Sequence, residues 1–229
     1  MCGLYSFRRG PEEVRRLFGY VERDEFPPRP HVAPGSPIAI VRPENGVRRL
    51  ALVRWGFVPA WKKDFGSGKP MVNARAETVL DKPTFRNAMR RRRCLVPADG
   101  FYAWKGDVPG RKQAFFIHRP DHELFGFAGL WEHWMGADGS EIETALIITT
   151  PANAALAHIH HRLPAVIAPE DFDRWLDADG CEAGEAAGLL QPAPDDYFIA
   201  DPVDLTRRPK AEAEAKPKVS EPERQPRLL

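Results

Sequence analysis

The stretch TALIITT, Thr144 to Thr150, is a run of β-branched and apolar residues that is too short to span a bilayer. We predict a strand at Thr144–Thr149, because β-branched side chains favour a pleated, half-buried backbone. Runs of the same kind, bounded by turn residues, predict seven more strands. They are Gly3–Phe7, Ile38–Arg42, Arg49–Trp55, Cys94–Pro97, Phe101–Lys105, Ala114–His118 and Leu124–Trp131.

Helices are predicted between these strands, several of them opened by a proline at the first helical position. They are Pro11–Phe18, Pro83–Arg91, Pro151–His158, Pro169–Leu176 and Gly180–Leu190. Strands predominate, and they must pair over long sequence distances. The pattern indicates an α+β fold: a single domain with a curved, barrel-like, mostly antiparallel sheet flanked by short helices.

The chain of 229 residues is 43% hydrophobic, enough for a sizeable core. We predict a domain over residues 1–206 and a disordered, basic, proline-rich tail over 207–229. The tail has almost no large apolar side chains, so burial cannot offset the entropy of ordering it. The net charge is only +1, so a body that binds nucleic acid must concentrate its positive charge locally.

The cysteines, Cys2, Cys94 and Cys181, are odd in number and widely spaced. This pattern argues against a disulfide framework and fits a reducing compartment. The N-terminus lacks the features of a signal peptide, since Arg8 and Arg9 follow a short apolar start and acidic residues come next. We expect a cytoplasmic protein with no membrane association and no cofactor.

Cys2 stands directly behind the initiator methionine, and methionine before so small a residue is commonly removed. Removal would leave an α-amine of pKa about 7.7–8 and a thiol of pKa about 8.5 on one residue, both partly nucleophilic near neutral pH. Such an aminothiol reacts with an aldehyde to give a Schiff base, which the thiol closes to a five-membered thiazolidine. The alternative is that Cys2 only packs at the start of a strand.

In WGFVPAWKK, Trp55 to Lys63, two tryptophans flank a Val-Pro turn and run into two lysines. Exposed aromatic rings beside cations form a stacking platform for unpaired bases. We expect Trp55 to lie in the core and Trp61, beside Lys62 and Lys63, to be the stacking residue.

In MVNARAET, the residues Asn73, Arg75 and Glu77 alternate, so on an extended segment they would share one face. An amide, a guanidinium and a carboxylate on one face indicate a polar site, and the planar guanidinium of Arg75 suits a phosphate. The alternative is a surface ion pair between Arg75 and Glu77. The run Arg90–Arg93, at the end of a predicted helix, is interpreted first as a solvated face and second as a phosphate-tracking surface.

The segment HIHHRLP, His158 to Pro164, is dense in histidine. No cysteine or carboxylate lies close in sequence to complete a metal site, so we expect no metal. A histidine that acts as general acid or base is the better functional interpretation. For His158 and His161, a place at the end of a helix is the alternative.

Together these stretches resemble the SRAP family, the SOS response-associated peptidase-like or abasic-site processing proteins, over about Met1–Asp204. The matching segments, in order, are MCG, VAPG at Val32–Gly35, WGFVPAW, NARAET, PADGFYAW at Pro97–Trp104 and IHHRLP at Ile159–Pro164. The resemblance implies a sensor of abasic sites in single-stranded DNA. The mature N-terminal cysteine would form a stable thiazolidine crosslink with the sugar aldehyde and so shield the lesion. It also implies a peptidase activity that removes the initiator methionine, a monomer, and association with the nucleoid when bound to DNA.

Carried over by position, the resemblance makes Cys2 the nucleophile, Asn73 a hydrogen-bonding partner near it, and His160 the residue that assists proton transfer to the sugar oxygen. Phosphates would be held by Arg75, Arg162 and Thr149, while Trp61 and Pro34 would wedge or stack against bases. Glu77 and Trp104 complete the expected DNA-binding set.

The sequence departs from the family at Ala103 in DGFYAW, where members usually carry a glutamate. That carboxylate is implied to promote sugar ring opening and to shuttle protons. General acid–base groups typically contribute about 10²–10⁴-fold, so we expect slower crosslinking. A second departure is Leu4, which replaces a common arginine and should weaken DNA binding.

Two other functions stay open. A glutamine amidotransferase-like amidohydrolase would also begin with Cys-Gly, but it leaves NARAET and IHHRLP unexplained. A non-catalytic single-strand binding module would follow if Ala103 has abolished reactivity.

Overall fold

A computed structural model describes residues 3–22, 26–66, 70–106 and 112–205. The strands in this part of the chain are β1 Tyr5–Phe7, β2 Arg29–Val32, β3 Pro37–Glu44, β4 Val47–Trp55, β5 Asn73–Arg75, β6 Arg93–Ala98, β7 Gly100–Lys105, β8 Gln113–His118, β9 Phe125–Met135, β10 Glu141–Pro151, β11 Arg162–Pro164, β12 Val166–Ile167 and β13 Ile199–Val203. The helices are α1 Pro11–Phe18, α2 Pro83–Arg91, α3 Phe172–Leu176 and α4 Ala183–Ala187, with 3₁₀ turns at Ala76–Thr78 and Pro169–Asp171.

The larger sheet contains a closed barrel in the order β4, β3, β6, β9, β10 and back to β4. Neighbouring strands in the barrel are antiparallel except where β10 closes it, lying parallel to β4 with Ala145 beside Trp55. β3 and β4 form a hairpin that turns at Asn45 and Gly46, whose φ angles are 52° and 78°. Asn and Gly tolerate this left-handed conformation, which matches the twist of the paired strands.

The smaller sheet has the strand order β13, β8, β7, β1, β2, and its pairings are all antiparallel. It packs on the barrel through buried aromatic rings. The ring of Tyr5 lies 5.4 Å from that of Trp55 and 6.0 Å from that of Phe127, and Phe101 lies 5.9 Å from Phe127. The two sheets thus share one hydrophobic core. The predicted α+β class with a barrel-like, mostly antiparallel sheet and short flanking helices is confirmed.

Each of the eight predicted strands is present within a few residues of its expected bounds. In the described ranges the sequence missed the short strands β2, β5, β11, β12 and β13, which are too brief to show a periodic pattern. Helices Pro11–Phe18 and Pro83–Arg91 are confirmed at both ends.

The helix predicted at Pro151–His158 is wrong. Pro151 ends β10, where it pairs with Arg162, and the following residues form turns. The long-range pairing overrides the local signal of a proline at a helix start. Of the helix predicted at Gly180–Leu190, only Ala183–Ala187 is helical. The helix predicted at Pro169–Leu176 consists of a 3₁₀ turn followed by a short α-helix at Phe172–Leu176.

The predicted tail, 207–229, lies outside the described residues, and the domain boundary at 206 stays a prediction. None of the helices in the described ranges has the length and apolar character that a membrane span requires.

Arg93 is 1% exposed and carries its charge into the core. Its Nε donates to the carbonyl of Trp175 at 2.6 Å, and one Nη donates to Met89 at 2.9 Å. The other Nη donates to the carbonyls of Asp177 and Cys181, at 2.6 and 3.0 Å. Burial lowers the pKa of this guanidinium. Arg93 therefore ties α3 and the turn after it to the first residue of β6.

The run Arg90–Arg93 is consequently not one solvated face, as the sequence predicted. Arg92 pairs with the buried Glu132 at 2.8 Å, and Arg93 is enclosed. Only Arg90 and Arg91 remain at the surface. This correction weakens the case for a phosphate-tracking role of the run.

Replacing Arg93 by methionine should destabilise the fold by on the order of 3 kcal/mol, because it leaves several buried carbonyls without a donor. The exposed Arg90→Met in the same run is the matched control and should change the free energy of unfolding by less than about 0.5 kcal/mol. Urea unfolding of the two variants measures the difference. Equal midpoints would show that the carbonyl network contributes nothing.

Candidate functional site

The C-terminal half of β10 brings together two of the motifs. β5 lies parallel along one edge of β10, with Arg75 beside Thr149. β11 lies antiparallel along the other edge, with Arg162 beside Pro151. NARAET and IHHRLP thus meet on either side of Thr149. Glu77 in the first motif and Arg162 in the second are 85 positions apart in sequence.

Arg162 is held rigidly at this junction, with 9% of its side chain exposed. It donates to both carboxylate oxygens of Glu77, the bond to Oε2 being 3.0 Å. It also donates to the carbonyl of Thr149 at 2.5 Å and to the Thr149 Oγ1 at 3.2 Å. That hydroxyl donates in turn to the carbonyl of Ala74 at 3.1 Å. The hydrogen bond from Arg162 lowers the pKa of Glu77, so this carboxylate stays ionised at neutral pH.

Glu77 does not lie where the alternation of MVNARAET predicted. The strand stops at Arg75, and Glu77 belongs to the 3₁₀ turn Ala76–Thr78. Its ion-pair partner is Arg162 rather than Arg75. Arg75 is exposed, so it is the arginine of the two that is better placed to meet a phosphate.

Thr149, predicted to contact a phosphate, is fully buried. Its hydroxyl is engaged with Ala74 and Arg162. The geometry gives Thr149 the task of orienting Arg162, and direct contact with DNA stays a prediction.

His160 lies beside this network, half-buried. Its Nδ1 is 3.0 Å from the backbone nitrogen of Arg162 and 2.9 Å from the carbonyl oxygen of the same residue. In either tautomer Nδ1 is engaged by the backbone, so proton exchange with a ligand would use Nε2. The ring stacks on His161 at 4.6 Å. Burial lowers the pKa of His160, and the charges of His161 and Lys112 act in the same direction.

Lys112 is a further charged residue that influences His160, and the sequence analysis did not identify it. It is exposed at the start of β8, and its charge reaches His160. It stands in no local motif, so only its charge effect on His160 in the folded protein could reveal it. Lys112 also lines, with Trp104 and Asp204, a cavity of about 500 Å³.

Ala103 lies in β7, buried and opposite Phe115 of β8. On the other side of β7, the backbone nitrogen of Tyr102 donates to the carbonyl of Leu4 at 2.9 Å. Continuing this antiparallel register places Gly3 beside Ala103. Position 103, where the sequence resemblance implies a glutamate, is therefore adjacent to the start of the described chain. The side chain here is a methyl group that can neither donate nor accept a proton.

The two predicted wedge residues lie on separate loops, Pro34 between β2 and β3 and Trp61 after β4. Pro34 is exposed. The turn that contains it is held to the end of β4 by a hydrogen bond of 2.7 Å, which the Gly35 nitrogen donates to the Trp55 carbonyl. Trp55 is fully buried, whereas Trp61 is 70% exposed. The expectation of one core tryptophan and one exposed tryptophan is confirmed.

Cys2 lies outside the described residues. The other cysteines are buried, and burial raises the pKa of the Cys94 thiol. Neither Cys94 nor Cys181 is placed to act as a nucleophile. His158 and His161 are exposed, and the described ranges contain no group of three or more His, Cys, Asp or Glu placed to hold a metal ion.

Comparison with known proteins identifies the family and the fold. Residues 1–206 match the family model described as SOS response associated peptidase (SRAP). The chain is 35% identical over 195 residues to the abasic site processing protein YoqW of Bacillus subtilis, covering 84% of this chain and 87% of that protein. It is 32% identical over 195 residues to the abasic site processing protein YedK of Escherichia coli, covering 82% and 85%. A solved structure of a protein from Bacteroides thetaiotaomicron superposes with a TM-score of 0.81 at 26% identity, covering 89% of this chain and 93% of that one.

The imidazole of His160 should titrate below its ordinary pKa of about 6.5, because burial disfavours the charged ring. Since the unfolded chain binds this proton more tightly, His160 should lower stability as pH falls below about 6.5. An NMR titration of the folded protein measures the midpoint, and the same titration in denaturant is the control. A folded midpoint at or above the denatured one would contradict the placement of His160.

Proposed function

The chain belongs to the SRAP family, and we propose that it recognises abasic sites in single-stranded DNA and crosslinks to them through Cys2. The observation that carries the proposal is the convergence at the end of β10 of Arg75, Arg162 and His160. The exposed guanidinium of Arg75 can bind a phosphate there, and the imidazole of His160, whose pKa is lowered, lies at the same end of β10. Relatives named abasic site processing proteins support a role at abasic sites.

The chemistry requires that Met1 is removed, so that Cys2 carries a free amine. The amine attacks the aldehyde carbon of the ring-opened sugar, and loss of one water gives an imine. The thiol then adds to the imine carbon while its proton passes to the nitrogen, which closes the thiazolidine. One new C–N bond and one new C–S bond hold the protein on the lesion.

The surrounding residues have separate tasks in this proposal. His160, neutral at pH 7 and anchored at Nδ1, exchanges a proton with the sugar oxygen through Nε2. Asn73 orients the sugar beside Cys2. Arg75 binds a phosphate, while Arg162, paired with Glu77 and bonded to Thr149, holds the turn after β5 in place beside β10.

Removal of Met1 by the same site is part of the proposal, as an autopeptidase step that hydrolyses the peptide bond before Cys2. A second candidate function is a non-catalytic single-strand binding module. The aliphatic side chain of Ala103 favours it, because a general acid–base group is missing there.

Incubating the protein, with its N-terminus verified to begin at Cys2, with abasic single-stranded DNA should give a band that survives denaturation. Cys2→Ala should abolish this band, because it removes the thiol that closes the ring. Cys181→Ala, at a buried thiol, is the matched control and should crosslink like the parent. Retained binding without a band in the parent protein would favour the non-catalytic module.

Ala103→Glu should accelerate crosslinking by about 10²–10⁴-fold, the range typical of a general acid–base group. The site is 6% exposed, so burial should raise the pKa of the new carboxyl toward neutrality, which suits proton transfer. Single-turnover kinetics on an abasic oligonucleotide measure the rate.

Ala103→Gln is the control, since glutamine has the same length and keeps an acceptor oxygen but cannot titrate. It should react no faster than the parent. Equal rates for the glutamate and glutamine variants would refute the role assigned to this position.

A further inference from the structure

The loop that carries Trp61, residues 56–66, is pinned to the barrel by hydrogen bonds. We call it the wedge loop. At its start, the nitrogen of Gly56 donates to the carbonyl of Ala145 at 2.9 Å. Next, the nitrogen of Val58 donates to the Oγ1 of the fully buried Thr144 at 3.0 Å. The first three residues of the loop are thereby fixed against β10.

Trp61 stands at the tip of a tight turn in this loop. The nitrogen of Lys62 donates to the carbonyl of Pro59 at 3.0 Å, which makes Trp61 the third residue of a four-residue turn. On the other side of Lys62, its carbonyl accepts a hydrogen bond from the indole Nε1 of Trp134 at 2.6 Å. Both polar backbone groups of the residue after Trp61 are therefore held.

Trp134 itself is 6% exposed and lies on β9, outside every motif noted in the sequence. Its ring packs against that of Phe65 at 5.5 Å, and the guanidinium of Arg54 lies over the Phe65 ring at 5.3 Å. The indole is thus locked by packing, so its N–H is aimed at one acceptor. A donor held in this way restrains the backbone it binds.

We propose that Trp134 is a positioning residue for Trp61, holding the wedge loop so that the exposed indole meets the bases at a lesion in a fixed orientation. The proposal rests on the function proposed above, together with the stacking on unpaired bases that the sequence predicts for Trp61. Preorganisation of a stacking side chain strengthens binding because less ordering remains to be done when the strand arrives. Without the Lys62 anchor, the indole of Trp61 would be free to adopt several orientations.

The decisive variant is Trp134→Phe, which keeps an aromatic ring in the packing but removes the N–H donor. Trp131→Phe is the matched control on the same strand. Residues three apart on a strand face opposite sides, and the Trp131 ring lies 4.0 Å from the guanidinium carbon of Arg42. Thr144→Val is a second variant that weakens the attachment of the same loop, because it removes the hydroxyl that accepts the hydrogen bond from the Val58 nitrogen.

The probe is a single strand that contains a tetrahydrofuran abasic analogue, which has no aldehyde, next to a 2-aminopurine. The fluorescence of 2-aminopurine is quenched when the base stacks on an aromatic ring such as the indole of Trp61. We expect Trp134→Phe to reduce the quenching that binding produces and to weaken affinity by about 2- to 10-fold, the range for loss of one hydrogen bond. Thr144→Val should shift both readouts in the same direction, and Trp131→Phe should leave them unchanged.

The double variant Trp61→Ala/Trp134→Phe tests whether Trp134 acts through Trp61. It should behave like Trp61→Ala alone, because the residue to be positioned is gone. Additive losses would overturn the proposal, as would Trp134→Phe and Thr144→Val both matching the parent. If Trp61→Ala is silent while an aldehyde-bearing strand still crosslinks, the positioning role fails and the proposed function stands.

Discussion

The pairing of β10 with different neighbours along its length is the constraint on which this structure depends. Its N-terminal half runs parallel to β4 and antiparallel to β9, which closes the barrel. Its C-terminal half leaves the barrel and pairs with β5 and β11, two strands of three residues each. Strands of this length are not stable on their own, so their pairing with β10 determines where they lie. The polar groups that they carry are therefore fixed relative to the core.

The site combines fixed and available charges. Arg162 is nearly enclosed and neutralised by Glu77, while Arg75 on the neighbouring strand is exposed. A polyanion needs positive charge that is not already paired, and at the end of β10 the exposed Arg75 supplies it. The methyl group of Ala103 leaves His160 as the titratable group that the proposal relies on.

The sequence predicted what is local and repeated. The run TALIITT was recognisable as a buried strand from its β-branched residues, and the exposure of Trp61 followed from its neighbouring lysines. The partners of short strands could not be predicted, because they depend on contacts far apart in sequence. Pro151 shows this: it carries the signal of a helix start, yet its pairing with Arg162 keeps it extended. Glu77 shows it again, because the turn after Arg75 rotates the carboxylate toward a residue on another strand.

The central claim is that both the amine and the thiol of one residue bond to the sugar carbon. Intact mass analysis of the adduct, followed by digestion and peptide mapping after thiol alkylation, tests it directly. The account predicts the mass of the protein without Met1 plus that of the abasic strand, less one water molecule. It also predicts attachment at Cys2, with that thiol resistant to alkylation. An adduct at another residue such as Lys112, or one at Cys2 whose thiol is still alkylated, would contradict it.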